Sequence, residues 1–215
     1  MLPTDILSAA KAAYNAVGDS FFSDSQIYNW TTQACNELAK KAFLIEQLYT
    51  TTTVAGQQSY NYPTDTIGLK RITVNGKKIK RITMRDDDAI TLSNQQVTTQ
   101  GWPIYYTDFD YTINLRPIPD ASNYTLNIYS YNLHDPITAT SSLEIPQLFH
   151  FDLVDYVLMR MYSQDKDFTS AAFYLNEWLR HVKDAIAYKQ KLKRSDSFAT
   201  IQSEDILPVT ILGEA

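Results

Sequence analysis

The residues that could do chemistry are few and scattered. Asp86, Asp87 and Asp88 form the densest acidic group. Consecutive carboxylates can bind a hard cation, or they can stand splayed apart on a solvated loop. The three histidines, His134, His150 and His181, follow no metal-ligand spacing such as H-E-x-x-H. His150 sits between Phe149 and Phe151 and reads as a packed or capping residue. The single cysteine, Cys35, rules out an internal disulfide framework. It has no basic neighbour to make a thiolate and reads as a small core residue. There is no G-x-S-x-G elbow, no phosphate-cradling glycine-rich loop and no C-x-x-C. No catalytic set, cofactor site or metal site is therefore expected, and the chain reads as a non-enzyme.

Charge narrows the choice of partners. The 215 residues carry a formal net charge of −5. That opposes tight, sequence-general binding to nucleic acid, which needs a basic footprint. Two local basic sets remain. One comprises Lys70, Arg71, Lys77, Lys78, Lys80 and Arg81, of which Lys77, Lys78, Lys80 and Arg81 are candidate DNA-phosphate contacts. The other is KQKLKR, Lys189 to Arg194, where cations would complement the C-terminal end of a helix dipole. Aromatics gather in GWPIYYTDFDYTINLRPIPD, residues 101–120. Trp102, Tyr105, Tyr106 and Tyr111 there allow a second reading, a carbohydrate-binding or hydrolytic module using surface aromatics.

These residues must be positioned by three kinds of element. Residues 1–49 read as two helices. The first is capped at Thr4 or Asp5 and stops at Gly18. The second starts at Ser23, which has the S-x-x-Q spacing of a capping box with Gln26. Ile27, Trp30, Ala34, Leu38, Ala42 and Ile45 make its apolar face. From Thr50 on, β-branched and aromatic residues take over. Asn75-Gly76 between two β-rich runs predicts a hairpin with a type I′ turn. RDDDAITLSNQQVTTQ, residues 85–100, is a loop or short helix. Period-two alternation predicts half-buried antiparallel strands at Tyr111–Arg116 and Tyr124–Tyr129, with Asp108–Asp110 and Arg116–Asp120 as turns. The helical pattern returns near Pro146. A last helix puts Phe168, Ala172, Leu175, Leu179, Val182 and Ile186 on one face and ends at Arg194.

The expected fold class is α+β. A four-helix bundle is built from the N- and C-terminal helices, residues 1–49 and 146–194. An antiparallel β lobe is inserted over 50–145, and an extended arm covers 195–215. That arm carries Ile206, Leu207, Val209, Ile211 and Leu212. A cluster this short cannot form its own core, so it folds back on its own domain or docks on another chain. There is no apolar stretch of about 18 residues and no basic-then-apolar N-terminal leader, so neither a membrane span nor a signal peptide is expected.

The order of features resembles a known family. WTTQACNELAKKA is followed by GQQSYNYPTDTIGLKRITVNGKKI, then by GWPIYYTDFDYTINLRPIPDASNYTLNIYSYN, then by LEIPQLFHFDLVDYVLMRMY. Gly56, Tyr60, Pro63, Gly101, Pro103, Tyr106, Ile113, Leu115, Pro117, Pro119 and Asp120 occur in the family's order. This resembles the head-to-tail adaptor (connector) proteins of tailed bacteriophages, particularly those of short-tailed and crAss-like phages. The resemblance covers most of residues 20–165. It implies a virion structural protein at the head-tail interface, assembled in the host cytoplasm. It implies a homo-oligomeric ring, in that family usually of twelve copies, between portal and tail, with genomic DNA passing through the lumen. Partners would be the portal protein and other tail or adaptor proteins. The interface residues expected on this basis are the arm cluster with Tyr105 and Tyr106, which belong to the β lobe.

Overall fold

A computed structural model describes residues 1–16, 18, 21–94 and 100–204, with side chains for these apart from 90–94 and 193–204. The chain is a mixed α+β protein divided into two compact units, residues 1–44 with 134–215, and residues 45–133. The limits expected near 50 and 145 thus move to 45 and 133.

The helical unit opens with α1 (Pro3–Ala13), whose Asp5 carboxylate accepts from the Leu2 amide at 2.7 Å. Helix α2 (Asp24–Ala42) is capped by Ser23, whose hydroxyl accepts from the Gln26 amide. Gln26 does not complete a reciprocal box; its side chain donates to Gln164 at 2.6 Å. The helix ends one turn earlier than its apolar period suggests. Phe43 turns left-handed (φ 53°), and Ile45 lies outside the helix although it is buried. After the β unit, His134–Ile145 runs back along α2: Thr32 and Asn36 of α2 accept the amides of Ile137 and His134. This explains why the second limit precedes Pro146. A 3₁₀ turn (Gln147–Phe149) leads into α4 (Asp152–Gln164) and then α5 (Phe168–Glu204). Helix α4 packs on α1, α2 and α5, and α2 also packs on α5. Ile6, Phe22, Ile27, Leu38, Phe149, Leu153 and Trp178 are the large, fully buried side chains of this unit. Helix α5 passes Arg194 without a break, so residues 195–204 are helical rather than part of an extended arm.

The β unit is one large curled sheet with a small two-stranded one. Its strands are β1 (Glu46–Thr52), β2 (Ser59–Asn61), β3 (Thr66–Val74), β4 (Lys77–Arg81), β5 (Gln100–Gly101), β6 (Tyr105–Phe109), β7 (Thr112–Arg116), β8 (Ile118–Pro119) and β9 (Thr125–Asn132). Helix α3 (Met84–Asn94) lies between β4 and β5. The large sheet has the order β1-β9-β3-β4-β6-β7-β2, and β5 pairs with β8. Residues 46–49, expected as helix, are the start of edge strand β1. The sheet is not all antiparallel as expected: β4 pairs with β6, and β5 with β8, in parallel. The cause is connectivity. A hairpin reverses the chain within two residues, but β4 reaches β6 through α3, and a helical crossover brings the chain back in the same direction. Tyr60, Ile72, Val74, Ile79, Tyr106, Ile113, Leu115, Leu126 and Ile128 form the core of this unit.

Two turns are set by residue chemistry. Asn75 and Gly76 both have positive φ (45° and 78°), the type I′ geometry expected from the Asn-Gly pair. Asp110 and Tyr111 also have positive φ (47° and 57°) and join β6 to β7. The turn therefore sits later than Asp108–Asp110. Tyr111, placed by alternation with Ile113 and Leu115, is instead at a turn tip and 73% exposed.

Candidate functional site

The basic hairpin is positioned by a change of partner along β4. Its first half pairs with β3, Ile72 opposite Ile79 and Val74 opposite Lys77. Its second half pairs with β6, Lys80 beside Tyr105 and Arg81 beside Tyr106. Beyond Ile79 the strands β3 and β4 part. A depression of about 460 Å³ opens there, lined by Leu69, Lys70, Arg71, Lys78, Lys80 and Arg81, with Ile79 and Tyr106 beneath.

The cations around this depression are not equivalent. Lys70 is paired to Glu46 at 2.6 Å. The Arg71 guanidinium lies 4.0 Å from the Tyr129 ring centroid, a cation–π contact. Arg81 grips Asp108 with two bonds of 2.7 and 2.8 Å, and Tyr62 donates to the same carboxylate at 2.8 Å. Burial first, and then this bond, push the Tyr62 phenol up from its ordinary value. Arg81 thus clamps β4 to β6, which Lys78 and Lys80, other candidate phosphate contacts of this strand, do not. Both are exposed and have no ion-pair partner among the described residues. Lys77 is exposed, with its ammonium 5.6 Å from the centroid of Trp102. The depression gathers five of the cations of a unit that is balanced as a whole: residues 45–133 hold eight Lys and Arg against eight Asp and Glu, so the net −5 lies in the helical unit.

The other residues singled out in the sequence fall apart as sites. Tyr106 is 4% exposed and belongs to the core, so it is not an interface residue; its neighbour Tyr105 is half-buried on the other side of β6. Trp102 is half-buried against Tyr124, ring centroids 4.6 Å apart. With Tyr106 inside, Tyr111 at a turn and Trp102 covered, the aromatics of the opening stretch make no common stacking platform for a sugar. Asp86 caps α3 by exchanging bonds with Thr83, and Asp87 pairs with Arg116 at 2.9 Å. The His150 Nε2–H donates to the Ile145 carbonyl, 3.0 Å away. His134 takes the Glu144 amide on Nε2 and faces the Asp135 carbonyl with Nδ1, which bridges its own loop. His181 lies between Asp152 (3.3 Å) and Asp155 (2.9 Å). Burial raises Asp152 from the ordinary carboxylate value, against the pull of His181. Among the described residues, no group of three or more His, Cys, Asp or Glu could hold a metal ion, and no helix is long and apolar enough to cross a membrane. Ile206, Leu207, Val209, Ile211 and Leu212 lie outside the described residues.

Helix α5 differs most from expectation. Among its described side chains, the buried ones are Ala171, Trp178, Val182 and Ala185. Trp178 anchors it, with its indole N–H donating to Glu37 at 3.1 Å and its ring 5.0 Å from Tyr156. Of the predicted apolar face only Val182 is buried. Phe168, Leu175 and Leu179 are exposed by 69%, 41% and 40%. No sequence signal separated these two rows, because both are apolar and they lie side by side on the helix.

Residues 2–203 match the family model of the SU10 adaptor protein, and the chain belongs to that family. It is accordingly a bacteriophage structural adaptor and a component of the virion, and its partners are other phage head and tail proteins. No curated protein matches the chain.

Proposed function

We propose that this adaptor acts between head and tail: copies form a ring, of twelve in the manner of similar proteins, that sits beneath the portal, receives the tail and lets genomic DNA pass through its lumen. The observation that carries this reading is the family match, which spans nearly the whole chain. Charge supports it. A helical unit holding the entire net −5 repels polyphosphate and would not retain DNA in passage, whereas Lys77, Lys78 and Lys80 offer a few transient phosphate contacts. The role is assembly, without catalysis or cofactor.

The test is mass measurement of the purified chain alone and mixed with portal rings. The expected result is a complex of defined stoichiometry with the portal, whether or not the chain is a monomer alone. A chain that stays monomeric and never joins the portal would sink the reading. The DNA contacts are tested separately: weak, salt-dependent binding should lose about one unit of log–log salt slope per lysine in Lys78→Ala and Lys80→Ala variants. An unchanged slope removes those residues from the DNA path.

A further inference from the structure

The large sheet ends in two free edges, with β1 beside β9 alone and β2 beside β7 alone. Sheet edges are normally blunted by shortness, charge, proline or a bulge, because a row of unpaired backbone groups recruits other strands. Strand β1 has none of these guards. It is seven residues long, holds no proline, keeps an unbroken register with β9 and exposes six of its residues. Its one charge, Glu46, stands at the first position and is paired to Lys70. From Gln47 to Thr64, a run that contains both edge strands, the sequence has no charged residue, although 20% of the chain is charged.

Hydrogen bonding fixes which backbone groups face outward. Asn132 donates to the Ile45 carbonyl and Thr53 to the Tyr124 carbonyl, just beyond the two ends of the β1–β9 register. Bonded pairs alternate along an antiparallel ladder. Gln47, Tyr49 and Thr51 therefore bond to β9, while Leu48, Thr50 and Thr52 turn their N–H and C=O groups to the open side. On β2, Leu115 donates to the Gln58 carbonyl and Tyr62 to the Tyr111 carbonyl, so Ser59 and Asn61 face outward by the same alternation. The sheet curls until both edges line one groove of about 410 Å³, whose walls include Gln47, Tyr49, Thr51, Gln57, Asn61 and Thr64 and no charged residue. Tyr49 stands opposite Ile128 in the register and so on the core face of the sheet. Ile128 is fully buried, yet Tyr49 is 46% exposed. The core face is left uncovered at β1.

We propose that an extended, uncharged segment of another virion protein enters this groove as an added strand, hydrogen-bonded to β1 and covering Tyr49. The lining sets the class of ligand. Outward backbone groups recruit a strand. Exposed Leu48 on one face and Tyr49 on the other take apolar side chains, and the surrounding hydroxyl and amide groups take polar ones. A wall without charge neither attracts phosphate nor pairs a charged peptide. The inference rests on membership of the adaptor family, whose partners are other phage head and tail proteins, and not on the formation of a ring.

The test is selection on the full-length chain from a displayed library of random nine-residue peptides, followed by titration of the synthesised peptides by fluorescence polarisation. The expected sequences are uncharged and alternate apolar with hydroxyl or amide residues. They should bind the Thr50→Ala variant like the wild type and the Thr50→Pro variant at least about tenfold more weakly. Proline at 50 removes an outward N–H and no bond to β9, the place where an edge strand tolerates it. Alanine controls for the Thr50 hydroxyl, which donates to Asn127 at 2.8 Å. If Thr50→Pro does not fold, hydrogen exchange on the wild type decides: the amides of Leu48, Thr50 and Thr52 should exchange freely in the chain alone and slowly once peptide saturates it. No enrichment, charged sequences, binding indifferent to Thr50→Pro, or unchanged exchange overturns the proposal. A peptide of residues 47–55 that binds as tightly as the selected ones gives the groove to a second copy and overturns the assignment to another protein. A chain that binds the selected peptides but never joins portal rings keeps the groove and loses the role beneath the portal.

Discussion

At the scale of residues, the informative side chains are those whose structural duty could be mistaken for a functional one. Arg81 is the clearest. In the sequence it belongs to a basic run; in the fold its guanidinium is held by Asp108, which also takes the Tyr62 hydroxyl. Charge-assisted, bidentate bonds of this kind are stronger than neutral ones. Asp108→Asn keeps the shape but removes the charge, and part of the Arg81 side chain can turn to solvent. We expect a loss of about 1–2 kcal/mol in unfolding free energy, measured by urea denaturation, with DNA binding unaffected. A stability equal to wild type would show that the clamp contributes nothing. Cys35 makes the complementary case. It is fully buried, and burial, with a smaller contribution from Glu144, pushes its thiol up to about 12. The native protein should not react with a thiol reagent at pH 8 and should react fully once unfolded. Rapid labelling of the native chain would mean that α2 opens locally.

Elements were legible in the sequence to different depths, for physical reasons. The Asn75-Gly76 hairpin could be read because two positive φ angles in sequence are costly for most residues and cheap for that pair. The buried face of α2 could be read because it has one apolar row. Helix α5 could not be oriented, because its apolar arc is wide and nothing local says which side faces α4. The parallel pairing of β4 with β6 was hidden too, since it depends on α3 as a crossover. At the N-terminus, α1 is pinned by a residue that no pattern singled out. The Tyr14 hydroxyl donates to Asp165 at 2.7 Å, and its ring lies 4.7 Å from Tyr162 and 5.2 Å from Phe22. Burial first, then the bond to Asp165, raise Tyr14 to about 12. An unfolded tyrosine ionises near 10, so between about pH 10 and 12 the native state binds the proton that the unfolded state releases. The stabilisation is complete below pH 10 and is lost as the pH rises through 12. Tyr14→Phe keeps the ring contacts and removes this dependence. Melting curves of the two proteins across that range should therefore converge, and parallel curves would exclude the linkage.

On the scale of the whole molecule, charge and apolar surface bear on the proposed assembly. Charge is unequal between the units, with balance in residues 45–133 and the net −5 elsewhere. Exposed apolar residues occur in both units, with Phe168, Leu175 and Leu179 aligned on one side of α5, and the sequence adds an apolar cluster in residues 206–212. The sequence alone marks 195–215 as one arm, but the helix claims residues up to Glu204, so a clean truncation removes only 205–215. That truncation leaves α4, α5 and the buried residues of both units in place. Removing exposed or docked terminal residues should shift the melting temperature by no more than about 2–4 °C, the effect of roughly 1 kcal/mol or less in a chain of this size. Assembly is a different matter. If the arm bridges copies, each one lost removes an apolar contact worth about 25 cal/mol per Å² buried, and a ring multiplies that loss around its circumference. The truncated chain should therefore fold normally and fail to form higher-order species, by mass measurement with portal rings. A truncated chain that melts far below the wild type would place residues 206–212 in its own core. One that folds and assembles fully would free the arm from any role in the ring.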